Sequence, residues 1–310
     1  MCERTFSGAL GPYFAQIKQI AAGGNGRVLS AIDTRFDFPV CIKRISVANK
    51  DECRAALREI RIRRRLRHEN IVGLLNAIVS DGTDVSEITP ANFRETSCIY
   101  IVQELLDADL RQVIESQTRL SDDYVKLFFY QLLRGMKYIH SANVLHRDLK
   151  PSNVMINVNS LQLMIGDFGH SMVLDPKYSH GNSVTVCDTS LWYKAPELIL
   201  KTAQYSTASD IWAVGCILAE MLLGRPLFEG ENDLEQLELI IHAIKVPSKD
   251  QSNIRSFLTH EVNTMYNGKP KFPLQTKFQK VDFQGMLQFC IIVNIATYCG
   301  RSEYNASFNT

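Results

Sequence analysis

The chain has 310 residues and a net charge of +1, with 45% apolar and 22% charged residues, a globular composition long enough for one large domain or two lobes. The near-zero charge excludes a general electrostatic pull toward nucleic acid or an acidic membrane. None of the eight cysteines forms a CxxC pair of the kind that holds zinc, and the longest apolar run, Met286 to Cys299, is too short and too polar to span a bilayer.

The opening residues, MCERTFSGALGPYF, lack the apolar core of a secretory signal, which predicts reduced thiols and a cytoplasmic or nuclear location. The next hundred residues read mainly as strands. GRVLSAIDTR and FPVCIKRISV alternate polar and apolar residues or run apolar between turn residues, and CIYIVQEL reads as a buried strand. A glycine-rich stretch, IAAGGNGRV (Ile20 to Val28), lies at the first turn. One helix interrupts the strands, DECRAALREIRIRRRLRH, starting after Asp51 and carrying Ala56, Leu57 and Ile60 on one face. Its arginines are expected to form a solvated face.

After residue 105 the pattern becomes helical. SDDYVKLFFYQLLRGMKYIHS opens with Ser121 as N-cap and two acids in the first turn. Val125, Phe128, Phe129, Leu132, Met136 and Ile139 then recur at three- and four-residue steps, a core-facing stripe. SDIWAVGCILAEMLLG is apolar nearly all round and predicts a buried helix ended by Gly224.

Between these helices sits VLHRDLKPSNVMI (Val144 to Ile156), which places His146, Arg147, Asp148, Lys150 and Asn153 between apolar flanks. Ionisable groups this close to a core are costly unless they are paired or used. Downstream come IGDFGHS, with Asp167, and WYKAPE, Trp192 to Glu197; upstream stand Lys43 in VCIK and Glu59 in the first helix. Each feature alone has a plain alternative. A glycine-rich turn can be a simple hairpin, and a strand lysine can reach for water. All of them together, in this order and at these spacings, resemble a eukaryotic protein kinase from about Tyr13 to about Glu235.

The resemblance implies an α+β, bilobal fold: a β-rich N-lobe with one regulatory helix and a mainly helical C-lobe. It places an N-terminal extension at 1–12, a kinase domain at 13–285 (N-lobe 13–105, C-lobe 106–285) and a divergent tail at 286–310. It implies ATP and Mg2+ as cofactors, and the residue types suit phosphoryl transfer, which needs a polyanion held in line and its charge neutralised. Gly23, Gly24 and Gly26 would let backbone approach the phosphates, with Ile20, Ala21, Ala22, Asn25 and Val28 completing the lid. Lys43 would meet the α- and β-phosphates, held by Glu59. Asp167 and Asn153 would offer hard oxygens to magnesium. Asp148 would orient the substrate hydroxyl and accept its proton, Lys150 would steady the γ-phosphate, and His146 would pack beneath the loop. Around the adenine the same alignment places Cys41, Gln103 at the back, Glu104 to Leu106 as the hinge, Asp109 near the ribose and Met155 as the floor. Ser190 stands where the family has a threonine that contacts the catalytic aspartate. The chain departs from the pattern at Ala21, Cys41 and Lys194, which replace the usual Gly, Ala and Arg.

ALREI, IVQELLDADL, YKAPELIL and GCILAEML narrow the resemblance to the mitogen-activated protein kinases. GGNGRVLSAID, YIHSANVLHRDLKPSNVMIN and LDPKYSHG point to the atypical extracellular-signal-regulated kinases three and four. The family's Thr-x-Tyr falls on Thr185, Val186 and Cys187, so a single phosphosite, Thr185, is expected, with Arg58 and Arg147 as its cationic partners. The third usual arginine is Met172. Partners implied are protein substrates, a downstream kinase among the options, and an upstream activating kinase.

The resemblance fades after about Val281. A mis-spliced or read-through end would explain the tail, the alternative being a divergent but functional one. The family pairs the acid at Glu197 with a late arginine, and here the last stretch offers only Arg301. A serine/threonine kinase is the leading reading. A catalytically impaired scaffold or truncated splice product is its rival, and a small-molecule kinase is disfavoured by the APE segment.

Overall fold

The computed structural model describes residues 10, 12–23, 26–47, 49–79, 83–87, 97–116, 120–174, 190–201 and 205–244. The chain divides into two compact units. The first comprises Met1–Asp109, Arg134–Val144 and Met155–Val173, and the second comprises Leu110–Leu133, Leu145–Val154 and Leu174–Thr310.

The first unit is built on a five-stranded sheet. Its strands are β1 (Phe14–Gly23), β2 (Gly26–Asp33), β3 (Phe38–Ser46), β4 (Leu74–Val79) and β5 (Cys98–Glu104), in the order β1-β2-β3-β5-β4 with antiparallel neighbours throughout. The apolar run of β5 is explained by burial on both faces. Cys98, Tyr100 and Val102 join Leu29, Val40 and Ile42 in one cluster, while Ile99 and Ile101 join Ala77, Val79 and the helix residues Ala56 and Ile60 in the other. That helix, α1 (Lys50–Arg65), is the one expected from the sequence, and its apolar stripe packs as expected. The expectation of a solvated arginine face needs one correction. Arg54, Arg61, Arg64 and Arg65 are exposed, but Arg63 is only 2% exposed. It lies four residues after Glu59, one turn along the inward face, and takes an ion pair from that carboxylate.

Two short strands, β6 (Ala108–Asp109) and β8 (Val154–Asn157), pair through Ala108↔Ile156 and Asp109↔Met155; the two-residue β7 (Val144–Leu145) lies between them in the chain and leads into the motif loop. Next comes β9 (Gln162–Ile165). Its last residue bridges Ile71, and Ile165 N donates to Asn70 O at 2.9 Å, which ties the following turn to the segment between α1 and β4. The first unit thus takes in 155–173 as well as the sheet. The reason is these backbone bonds, which no local pattern announces.

The second unit is helical: α2 (Leu110–Glu115), the first part of α3 (Asp122–Ser141), α4 (Pro196–Ile199), α5 (Thr207–Leu223) and α6 (Asp233–Ala243). The α3 stripe is buried at every predicted position, and Tyr124 N donates to Ser121 Oγ at 3.5 Å at its start. α5 is buried almost all round and ends on Gly224 in the left-handed conformation, φ 71°. Trp212 of α5 stacks on Phe228 at 6.2 Å. Glu197 of α4 accepts from Ser209 Oγ at 2.8 Å, and burial pushes its carboxyl above the usual range. The late arginine considered for it falls outside the described residues. No helix among the described residues is long and apolar enough to cross a membrane.

Two predictions follow from these elements. Gly26 has φ +118°, and a Cβ there would lie 2.1 Å from Arg44 O. Gly26→Ala should therefore cost about 1–3 kcal/mol, read as a lower urea midpoint. For Glu197, whose folded pKa is raised, the ionised form is disfavoured in the fold. Its stabilising influence is complete below about pH 4.5, the unfolded value, and is lost as pH rises through the folded pKa. The stability of Glu197→Gln relative to wild type should thus increase with pH across that window in urea titrations, and a constant difference would refute the assignment.

Candidate active site

The first half of the site grows from strand register. Val28 lies opposite Lys43, Ala21 opposite Val28, and Cys41 opposite Gln103. Cross-strand partners and residues two apart share a sheet face, so Ala21, Val28, Cys41, Lys43 and Gln103 line one side. Ile101, opposite Lys43, belongs to the cluster that meets α1, so the same face is the one toward Glu59. Glu104 pairs with Val40 and faces the other way, toward Gly73, so only its backbone can serve a ligand on the Lys43 face. Ile20 and Ala22 are exposed. Asp109 and Met155 are cross-strand neighbours, and Leu106 is half-buried. Gly24 and Asn25 lie outside the described residues. Burial pushes the Cys41 thiol up to about 11, so it acts as a small apolar wall and not as a nucleophile.

Lys43 Nζ stands 2.6 Å from Asp167 Oδ1 and 3.2 Å from Glu59 Oε2. Burial alone would depress its pKa, but the two carboxylate charges outweigh burial and leave it raised. The ammonium is therefore permanently charged at neutral pH. Asp167 sits at φ 54°, an uncommon conformation for a non-glycine residue. Gly169 closes this turn, and a Cβ on it would lie 3.3 Å from both Asp167 Oδ1 and Glu59 Oε2.

The second half lies in the loop after β7. Asp148 is 4% exposed. Lys150 Nζ is 2.9 Å from Asp148 Oδ2 and donates to Ser190 Oγ at 3.0 Å. Ser190 Oγ is also 3.5 Å from Asp148 Oδ1, the contact expected for this position. Asn153 donates from Nδ2 to Asp148 O at 2.7 Å and to Asp148 Oδ2 at 3.0 Å. Its nitrogen is thereby committed to the aspartate, which turns its oxygen into the donor left for a cation. This amide oxygen and, in the first unit, the Asp167 carboxylate are each hard oxygens of the kind magnesium takes. Among the described residues no cluster of three His, Cys, Asp or Glu could hold a metal by itself.

One residue that the motif reading passed over organises this loop. Asp210 of α5 is fully buried and accepts three hydrogen bonds: from His146 N and Arg147 N at 2.9 Å each, and from Tyr205 OH at 2.9 Å. The signal was present, an acid in the first turn of an otherwise apolar helix. Arg147, at φ 70°, lays its guanidinium 5.6 Å over the Tyr205 ring. His146 is fully buried and accepts from Asp148 N at 3.4 Å, the packing role expected of it. Lys194, in place of the family arginine, pairs with Asp233 at 2.8 Å. Arg58 is half-buried on α1, and Thr185, the expected phosphosite, lies outside the described residues.

A family model described as "Protein kinase domain" matches residues 14–290, some way past Val281, where the resemblance was expected to fade. Mitogen-activated protein kinase 4 of Homo sapiens is 46% identical over 237 residues, which cover 76% of this chain and 40% of that protein. The Mus musculus protein of the same name gives the same identity and coverage. That of Rattus norvegicus is 47% identical over 224 residues, covering 72% of this chain and 80% of that protein. The chain spans about two-fifths of the length of the human and mouse relatives. These similarities agree with the mitogen-activated protein kinase motifs read from the sequence.

Asp210→Asn should loosen the loop without touching the Lys43 cluster. Each hydrogen bond to a buried carboxylate contributes about 1.5–3 kcal/mol. The variant should therefore unfold at clearly lower urea than wild type, read as a lower midpoint.

Proposed function

The chain belongs to the protein kinase family, and from that premise we propose that it transfers the γ-phosphate of ATP to serine or threonine hydroxyls of protein substrates, within an atypical mitogen-activated protein kinase pathway. The observation that carries this reading is the Asp148 constellation. A buried carboxylate is held by Lys150, Asn153 and Ser190, so that an acceptor for a hydroxyl proton and a cation stand together.

The chemistry divides among named groups. Asp148 receives the proton of the attacking hydroxyl, and its bonds to Asn153 and Ser190 orient its oxygens before substrate arrives. Lys150, 2.9 Å from that carboxylate, offers charge to the phosphoryl group as it moves. Lys43 grips the α- and β-phosphates, with Glu59 and Asp167 keeping it charged and in place. Ala21, Val28, Cys41, Gln103 and Met155 receive the adenine. Asp167 and Asn153 would hold Mg2+, which neutralises phosphate charge when bound.

Regulation by phosphate at Thr185, with Arg58 and Arg147 as partners, belongs to the same proposal, as do an upstream activating kinase, a downstream kinase among the protein substrates and action in cytoplasm or nucleus. Charge-assisted bonds from arginines would order the segment around such a phosphate. The kinase domain is proposed at 13–285.

The test separates the two halves. Asp148→Asn should lower turnover by about two orders of magnitude or more and keep nucleotide affinity, because the aspartate acts on the hydroxyl. Lys43→Ala and Asp167→Ala should weaken nucleotide binding, read by titration with a fluorescent nucleotide. Equal turnover in wild type and Asp148→Asn would overturn the role given to Asp148 and the reading that rests on it.

A further inference from the structure

α1 carries six arginines, and Arg63 is the only buried one, its side chain 1% exposed. Its contacts are long. Nη1 is 3.5 Å from Glu59 Oε1, and Nη2 donates to Val72 O at 3.4 Å and Gly73 O at 3.3 Å. Nε and Nη1 have no hydrogen-bond partner among the described residues, so the approach to Glu59 is an ion pair without a well-formed hydrogen bond. Charge-assisted bonds normally close to about 2.7–2.9 Å. None of these contacts closes to that distance, yet removing the guanidinium alone would leave the buried Glu59 carboxylate with one cation fewer.

Its charge is another matter. Glu59 is shared: Lys43 Nζ lies 3.2 Å from Oε2 and 3.5 Å from Oε1, and Arg63 approaches Oε1. With Asp167 on the far side of Lys43, two acids face two bases, and the quartet is neutral. Without Arg63 it would carry a net negative charge at the lysine that receives phosphates. Burial lowers the proton affinity of Arg63 while Glu59 and Asp167 oppose that, and an arginine stays protonated in either case.

We propose that Arg63 is a positioning residue of the phosphate site: it holds Glu59 by the second carboxylate oxygen, balances the second acid, and so leaves the charge of Lys43 for the phosphates of the nucleotide. The proposal rests on the nucleotide reading given above. Arg63 touches no ligand and acts through Glu59 and Lys43. Its anchors on the Val72 and Gly73 carbonyls fix the end of α1 to the chain leading into β4, which keeps Glu59 in reach.

The experiment is calorimetric binding of magnesium-free ADP and of adenosine to the full chain and its variants. Only ADP reports the phosphate field. Loss of one charge at this range in a partly buried site should weaken ADP binding by about tenfold or more. Arg63→Met is expected to lose that factor for ADP and to bind adenosine within about twofold of wild type. Arg63→Lys, which keeps the charge, should hold ADP near the wild-type affinity. Should Arg63→Met not fold, Arg63→Gln, which keeps a donor for the carbonyls and removes the charge, reads the same ratio. If the uncharged variant binds ADP as wild type does, or loses ADP and adenosine equally, the inference is overturned while the nucleotide site stands. If wild type binds neither, the proposed function falls and the inference with it.

Discussion

Everything in the first unit that bears on function depends on keeping one buried lysine charged. An ammonium moved out of water loses its proton unless carboxylates replace the lost solvation. Lys43 receives two of them, from elements far apart in the chain: Glu59 from α1 and Asp167 from the turn after β9. The strands and helix are arranged so that this can happen. Register sets Lys43 on the α1 face of the sheet, the apolar stripe of α1 sets Glu59 inward, and the Asn70–Ile165 bonds bring the Asp167 turn alongside. Gly169 fits tightly here, since a Cβ on it would lie 3.3 Å from both carboxylates and press on them.

The second unit solves the same problem with hydrogen bonds. Asp148 is held by a lysine, an amide and a hydroxyl, and the backbone under it hangs on Asp210. A loop whose own residues adopt conformations such as φ 70° at Arg147 needs an external anchor. A buried acid at the start of an apolar helix supplies one, because helix packing fixes its position. The loop's geometry is thus a property of α5 as much as of its own sequence.

β2, β3, β5, α1 and the two long helices were legible from periodicity, and the motif residues from spacing. β5 was recognisable as buried because its run is apolar on both sides of the pleat. What escaped was what pattern averages away. Arg63 sits among five other arginines on one helix, and composition alone places it in solvent; its inward register beside Glu59 buries it. Asp210 reads as an ordinary first-turn acid, yet its two backbone partners, His146 N and Arg147 N, lie more than sixty residues earlier. Gly26 reads as a phosphate-loop glycine, while the close approach of Arg44 O demands it for a reason internal to the sheet.

The amino-acid sequence by itself determined the element types, the stripes that would be buried and the set of chemical groups on offer, because these follow from side-chain chemistry and from the periods of helix and strand. Tertiary structure decided which groups meet. That Glu59 is shared by two cations, that the side chain of Glu104 turns away from the Lys43 face, and that residues 155–173 close onto the first unit are outcomes of register and of long-range backbone bonds. No local pattern encodes them, since a contact between distant segments forms only when the packing of everything between them places both ends at the same point.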